Sequence, residues 1–286
     1  PVLAKTSAHD PVTAGLVASS VAAADPELGA CIEIVAFAGS DRDCVDALLG
    51  ADCVVASGSD QTMASVAARV QPPRRLVSYG HRLSVAAVAA DRPADSAARL
   101  AEDVALWDQL GCLSPLAVFV EGRDPGEAAA FAAELAGAVA ELEERWPRGQ
   151  ISPRASAAIR RERDEAEMRA ASGAPVRLHR GAGSSWTVVA EADSQIRPAP
   201  LHRFLRVHPV ADLDGLEEAL TPVKHHLASI GIGGFAGRRG KLVAALGQLG
   251  VSRICPLGAM QAPPLSWCHD GRGVLLPLAR LSDADL

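Results

Sequence analysis

From residue 30 onward, short apolar runs alternate with amphipathic stretches. ACIEIVAFAG (30–39) is a nearly continuous apolar run of strand length, and DRDCVDALLG (41–50) repeats its apolar positions at helical spacing before a glycine stop. ADCVVASGSD (51–60) predicts a second strand that ends in a Gly-Ser turn, and QTMASVAARV (61–70) a second helix. A third strand, LVSYG, follows the Pro-Pro break at 72–73, and SVAAVAA (84–90) is a fourth apolar run. Residues 94–111 carry one amphipathic helical stripe, and LAVFVE (116–121) is a fifth strand. Strands alternating with helices predict an α/β fold with a doubly wound parallel sheet.

The texture changes after residue 122. Residues 124–149 predict one long helix with a proline near each end, and 151–170 a charged helix whose charge run reads as a solvated face. Strands are expected at 184–193 and 203–212, then a helix and a strand between 212 and 233, a helix at 237–250 and a strand at 251–258. The tail is punctuated by proline and glycine, and predicts an ordered loop followed by a short strand. There is no internal repeat and no low-complexity linker, so a second domain packed closely on the first is expected.

Composition narrows the function classes. The chain has 286 residues, ample for a sizeable core, and aromatics make up only 3% of it, so small aliphatic side chains must fill that core. A net charge of -6 argues against a nucleic-acid partner. No apolar stretch reaches membrane-spanning length, and the N-terminal residues lack the pattern of a secretory signal. The six cysteines form neither a CxxC pair nor a zinc-type ladder, so no metal site is expected, and a reducing cytoplasm fits best.

Three places carry candidate chemistry. Cys112 stands between a helix and a strand, after Gly111 and before a Ser-Pro pair. Backbone N–H groups at such a turn can lower a thiol's pKa and hold an oxyanion, so Cys112 reads as a nucleophile or equally as a core residue. Gly58 and Ser59 form a strand-to-helix turn suited to a cofactor pyrophosphate, or simply to a helix cap. Gly39 ends the preceding strand in the same manner. The cluster 267–272 contains Cys268, His269 and Asp270, where His269 is either a general acid-base or a satisfied buried histidine. His225 and His226 are neighbours on a helix and do not form a ligand pair.

The segment LAEDVALWDQLGCLSPLAVFVEG around Cys112 closely resembles the cysteine segment of the bacterial long-chain acyl-CoA reductases, a branch of the aldehyde dehydrogenase superfamily. PVLAKTSAHDP, ADCVVASGSDQTMASV and LVSYGHRLSVAAV extend the resemblance upstream; PLHRFLRVHPVADLDGL, GVSRICPLGAMQAPPLSWCHDGR and LLPLARL extend it downstream. It implies NADPH-dependent reduction of a fatty acyl-CoA, or another acyl thioester, to the aldehyde. Cys112 matches the acyl-accepting thiol, Lys5 the lysine that touches the adenosine ribose, and Gly58 with Ser59 the pair facing the pyrophosphate. Ser78 stands where aldehyde-oxidising relatives carry the glutamate that activates water. Its absence leaves proton handling to a histidine, with His269 first and His81 second.

Full-length members of the family carry a long N-terminal region before the segment that matches Pro1 onward. The resemblance therefore implies a fragment, a chain completed by a partner segment, or a reduced relative, and leaves activity of the chain alone in doubt. The expected division is a partial nucleotide-binding domain over 1–111, a catalytic thiol domain over 112–258, and a C-terminal segment over 259–286 that returns to the active-site region. A homo-oligomer or an acyl-transferring partner protein stays open. Two other functions stay open as well: a non-catalytic remnant of the fold, and a cysteine acyltransferase or thioesterase that needs no nicotinamide.

Overall fold

The computed structural model describes residues 1–8, 10–122, 124–280 and 282. The chain forms two compact units, Pro1–His81 with Arg280, and Arg82–Ala279. In the first, β1 (Val2–Lys5) pairs in parallel with β2 (Ile32–Val35), and β3 (Cys53–Ser57) pairs in parallel with β4 (Arg75–Tyr79). The helices between them are α1 (Thr13–Ala24), α2 (Pro26–Gly29), α3 (Arg42–Leu49) and α4 (Asp60–Arg69). α3 starts at an Asp41 cap and α4 at a Ser59 cap, whose side chains accept from Cys44 N and Thr62 N at 3.1 and 3.2 Å.

The second unit is built on a seven-stranded sheet in the order β11-β10-β5-β6-β9-β8-β7. Its strands are β5 (Leu83–Val88), β6 (Pro115–Glu121), β7 (Arg177–Arg180), β8 (Thr187–Ala190), β9 (Phe204–Val210), β10 (Leu227–Gly233) and β11 (Arg253–Pro256). All neighbours are parallel except β7 with β8. Helices α5 (Ser96–Ala105) and α6 (Pro125–Arg145) cover one face, and α8 (Leu213–Leu220) with α9 (Arg239–Gln248) the other. Helix α7 (Pro153–Ala171) packs at the β7–β8 end. β5 sends Ala86 and Val88 to the first face, and Val85 and Ala87 to the second. Burial on both faces is why this stretch reads as an unbroken apolar run.

The unit boundary falls at 81/82 rather than at the expected 111/112. β5 is hydrogen-bonded on one side to β10 and on the other to β6, so it cannot belong to the first unit's sheet. The helix expected to run to residue 111 ends at Ala105, where Leu106 turns extended and Trp107, Asp108 and Gln109 adopt left-handed backbone. The tail strand is also corrected: its described residues form short 3-10 turns at His269–Gly271 and Leu276–Leu278. Among the described residues, no helix is long and apolar enough to cross a membrane.

Candidate active site

In the second unit, Cys112 lies in the loop entering β6, at the amino edge of the parallel sheet. Ser114 N donates to Gly111 O at 3.0 Å and closes the turn, while Ser84 Oγ donates to Cys112 O at 2.9 Å and ties it to β5. Gly111 is needed for space rather than for unusual backbone angles. A Cβ there would come within 3.1 Å of Gln261 Oε1 and 3.2 Å of Ser114 Oγ. The approach to the turn is pinned by Gln109, whose amide donates to Pro115 O and Phe204 O at 2.7 and 2.9 Å and accepts from Phe204 N at 2.8 Å. Asp108 binds the Arg203 guanidinium at 2.7 Å. Cys112 itself is exposed, which sets aside its reading as a core residue.

The electrostatics of the thiol depart from expectation. Partial burial pushes Cys112 above the usual thiol range, and the Asp270 carboxylate adds to that; the N–H groups of Cys112 and Leu113 pull the other way without prevailing. The resting side chain is therefore a thiol. Asp270 is held by Arg82, Nε to Oδ2 at 3.0 Å, and its side chain is only 3% exposed. The Trp267 and His269 rings meet in a tilted contact with centroids 4.7 Å apart. His269 thus arrives on the same short segment as Asp270.

A second anchor escaped the sequence reading. Asp103, on α5, is fully buried, and its carboxylate accepts from Gly258 N and Met260 N at 2.6 and 2.9 Å. Arg253 donates to the carbonyls of Met260 and Ala259, each at 2.6 Å. Gln261 then reaches Ser114 Oγ at 3.0 Å, so this clamp supports the Cys112 turn. Burial raises the Asp103 pKa from 3.8 to about 6, against the pull of the Gly258, Met260 and Gln261 backbone. A folded pKa above the unfolded one stabilises the protein at low pH, and that contribution is lost as pH rises through about 6. Thermal melts of Asp103→Asn should therefore show its Tm, relative to the parent, climbing between pH 4 and pH 6.5 (a window set by ordinary and raised aspartate pKa values, roughly). A constant difference across that window would contradict the burial argument.

The first unit gathers the residues expected to hold a cofactor. Gly58 N donates to Tyr79 O at 3.1 Å, and His81 N donates to Asp60 Oδ1 at 3.1 Å, so the Gly58-Ser59 turn and His81 lie together at the carboxy ends of β3 and β4. Ser59 serves as the α4 cap, and its hydroxyl also meets Thr62 Oγ1 at 2.9 Å. Gly39 lies in the turn between β2 and α3, with nothing within 4 Å of where a Cβ would stand. Lys5, at the end of β1, donates to Thr6 O at 3.0 Å and stands 5.1 Å over the Phe37 ring. Both glycine turns are exposed, with open backbone at a helix start, and fit an anionic pyrophosphate.

Solved structures of similar fold include an NAD-dependent benzaldehyde dehydrogenase from Corynebacterium glutamicum, 18% identical, TM-score 0.66, covering 89% of this chain and 56% of that one. An aldehyde dehydrogenase C variant from Pseudomonas syringae, solved with NAD+ and octanal, is 18% identical with TM-score 0.65, over 89% and 55% of the two chains. A salicylaldehyde dehydrogenase from Pseudomonas putida G7, solved with salicylaldehyde, is 16% identical with TM-score 0.70, over 94% and 57%. The chain thus spans a little over half the length of these structures, whose aldehyde-dehydrogenase architecture it shares. No curated protein matches it in sequence.

The expectation of NADPH is corrected by two of these structures, the benzaldehyde dehydrogenase, described as NAD-dependent, and the Pseudomonas syringae enzyme, solved with NAD+. Its support was the resemblance alone, and Lys5, the one cation assigned to the ribose, is engaged with its own chain at Thr6 O. The family model for acyl-CoA reductase (LuxC) matches residues 1–282, so its span includes the Cys112 turn, both glycine turns and the His269 segment. The chain belongs to the acyl-CoA reductase (LuxC) family, and its fold is that of the aldehyde dehydrogenases.

Proposed function

We propose that the chain carries the thiol and part of the cofactor site of an NAD-linked enzyme that reduces an acyl thioester, of the acyl-CoA type, to the aldehyde. The observation that carries this reading is the exposed Cys112 on a turn pinned through its backbone to β5. The Cys112 thiol attacks the thioester carbonyl, the donor thiol leaves with the proton, and the acyl group stays on Cys112. A nicotinamide cofactor held by the residues of the first unit would supply the hydride that, with one proton, releases the acyl group as aldehyde and frees Cys112. The N–H groups of Cys112 and Leu113 stabilise the oxyanion during attack. His269 handles the proton that must leave the thiol, and His81 is second in line. Ser78 in place of a water-activating carboxylate favours reduction of the acyl-enzyme over hydrolysis.

Incubation with a fatty acyl-CoA followed by peptide mass mapping should place the acyl mass on Cys112, and added NADH should discharge it as aldehyde. Acylation of another cysteine with Cys112 unmodified would reject the assignment. Lys5, Gly39, Gly58 and Ser59 are assigned to the dinucleotide. A Cβ at Gly58 meets Thr62 and Met63 at 3.4–3.5 Å, so the fold tolerates a side chain there. Gly58→Val should nonetheless crowd the N–H cradle and weaken NADH binding about tenfold or more, the worth of one hydrogen bond to a charged group. Unchanged affinity in a fluorescence titration would remove the pyrophosphate from this turn.

A further inference from the structure

The amino edge of the second unit's sheet holds more than the thiol. Moving outward from Cys112 before β6, Arg82 precedes β5, Lys224 and His225 precede β10, and Ser252 precedes β11. These residues line a polar cavity of about 360 Å³ together with Gln248 and Asp270. That volume lies within the range of small-ligand sites. Asp270 is the link to the thiol, because its carboxylate lines the cavity and also acts on Cys112.

Two features state what the cavity would bind. Asp270 Oδ2 is paired with Arg82, but Oδ1 is buried with no hydrogen-bond partner among the described residues. A buried carboxylate oxygen without a donor is costly, and marks a place for an N–H or O–H of a ligand. The cationic side is Arg82 and Lys224. Arg82 Nε and Nη1 are engaged with Asp270 and His225 O at 3.0 Å each, and Lys224 is exposed. The ligand therefore needs a hydrogen-bond donor near the thiol and an anion farther out. At ~4.8 Å per strand, the two to three strand spacings from Cys112 to the far side of the cavity amount to roughly 10–15 Å. A chain of amides ending in a phosphate meets that description.

We propose that this cavity receives the phosphopantetheine arm of the acyl thioester, with Asp270 Oδ1 accepting from an arm amide and Lys224 with Arg82 facing its phosphate. This rests on the reading of Cys112 as the acyl acceptor and adds the part of the donor that the chain recognises. An amide N–H on Oδ1 also offsets the Asp270 charge, so seating the arm eases ionisation of the thiol only when a donor is present.

The test compares acylation of Cys112 by three donors of one acyl group: the coenzyme A thioester, the pantetheine thioester without phosphate, and the truncated N-acetylcysteamine thioester. Lys224→Glu and Gln248→Trp, both at exposed positions, should each lower the rate ratio of coenzyme A to N-acetylcysteamine thioester. A charge-assisted contact makes that drop about tenfold. Desulfo-coenzyme A binding, measured by calorimetry, should weaken in the same variants. Faster acylation from a carrier protein's phosphopantetheine than from coenzyme A would support the cavity and name the source of the arm. Ratios and desulfo-coenzyme A affinity equal to the parent's in both variants would overturn the proposal. Failure of every donor to acylate Cys112, with desulfo-coenzyme A still bound in a Lys224-dependent way, would reject the function and leave the cavity standing.

Discussion

Replacing Arg206 by methionine is expected to lower the melting temperature by roughly 10 °C, the consequence of a loss of about 3–5 kcal/mol in a domain of this size. Arg206 lies on β9, between β6 and β8, and its side chain is 1% exposed. Its guanidinium holds Glu162 at 2.8 Å and Glu191, and its Nε donates to Pro198 O at 2.9 Å. Glu191 is completely buried. Burial alone would push its carboxyl up, but Arg169 and Arg206 together outweigh burial and hold it below the ordinary carboxylate range. Removing Arg206 leaves that charge with Arg169 at 2.7 Å and Arg197 at 3.6 Å, and Glu162, among the described residues, with the exposed Arg161.

The sign follows from linkage. In the parent, a depressed Glu191 pKa gives stability that is present above the unfolded value and lost as pH falls through the folded value. In the variant that contribution shrinks, so the gap between the two proteins should hold down to the ordinary glutamate pKa of about 4.3 and narrow as the pH falls below it, through the depressed folded value. Calorimetric melts at neutral and acidic pH check both statements. A Tm within about 2 °C of the parent at neutral pH, under 1 kcal/mol at this size, would mean that the network adds little.

Periodicity carried the fold a long way, and its failures have definable causes. The runs at 51–57, 84–90 and 116–121 became β3, β5 and β6 because a parallel strand is apolar on both faces, whatever lies around it. Periodicity could not say which sheet β5 joins, since pairing with β10 links residues more than 140 positions apart, as Leu227 with Leu83. The helix at 94–111 overran for a similar reason. Its stripe continues, but Asp108 and Gln109 are turned left-handed and fastened to Arg203 and Phe204, 95 residues away.

The candidate site was legible where it is local. Gly111, Cys112 and the Ser-Pro pair announce a turn, and Ser59 announces a cap, while the Asp41 cap was not read from the sequence. What supports the turn is not local. Asp103 reads as an ordinary polar position on an amphipathic helix, yet it is fully buried and binds backbone 155 and 157 residues downstream. A carboxylate at the margin of the Leu100–Val104 stripe was the available signal. Asp270 stood in view beside His269, but its pairing with Arg82 spans 188 residues, and its effect on Cys112 comes from that tertiary placement.

Cys112→Ala should separate chemistry from architecture more sharply than any other single change. The side chain is exposed, and the contacts that fasten the turn run through the backbone of Cys112, Gly111 and Ser114 rather than through the sulfur. Truncating an exposed side chain leaves stability within about 0.5 kcal/mol. Acyl transfer, by contrast, has no other thiol on this turn, and the Ser114 hydroxyl is buried and bound to Gln261. Loss of a covalent nucleophile costs about 10³-fold at the least and commonly far more, because the remaining N–H groups have no tetrahedral adduct to stabilise. The expected result is therefore a parent-like melt, NADH affinity close to the parent value, and no acyl mass on the protein after incubation with acyl-CoA. Cys112→Ser sharpens the test. Its hydroxyl is a poorer nucleophile than the thiol at neutral pH and forms an ester, which hydride reduces less readily than a thioester, so slow acylation without aldehyde release should follow. A Cys112→Ala protein that still turns acyl-CoA into aldehyde would end the covalent reading, and one that fails to fold would return Cys112 to the core.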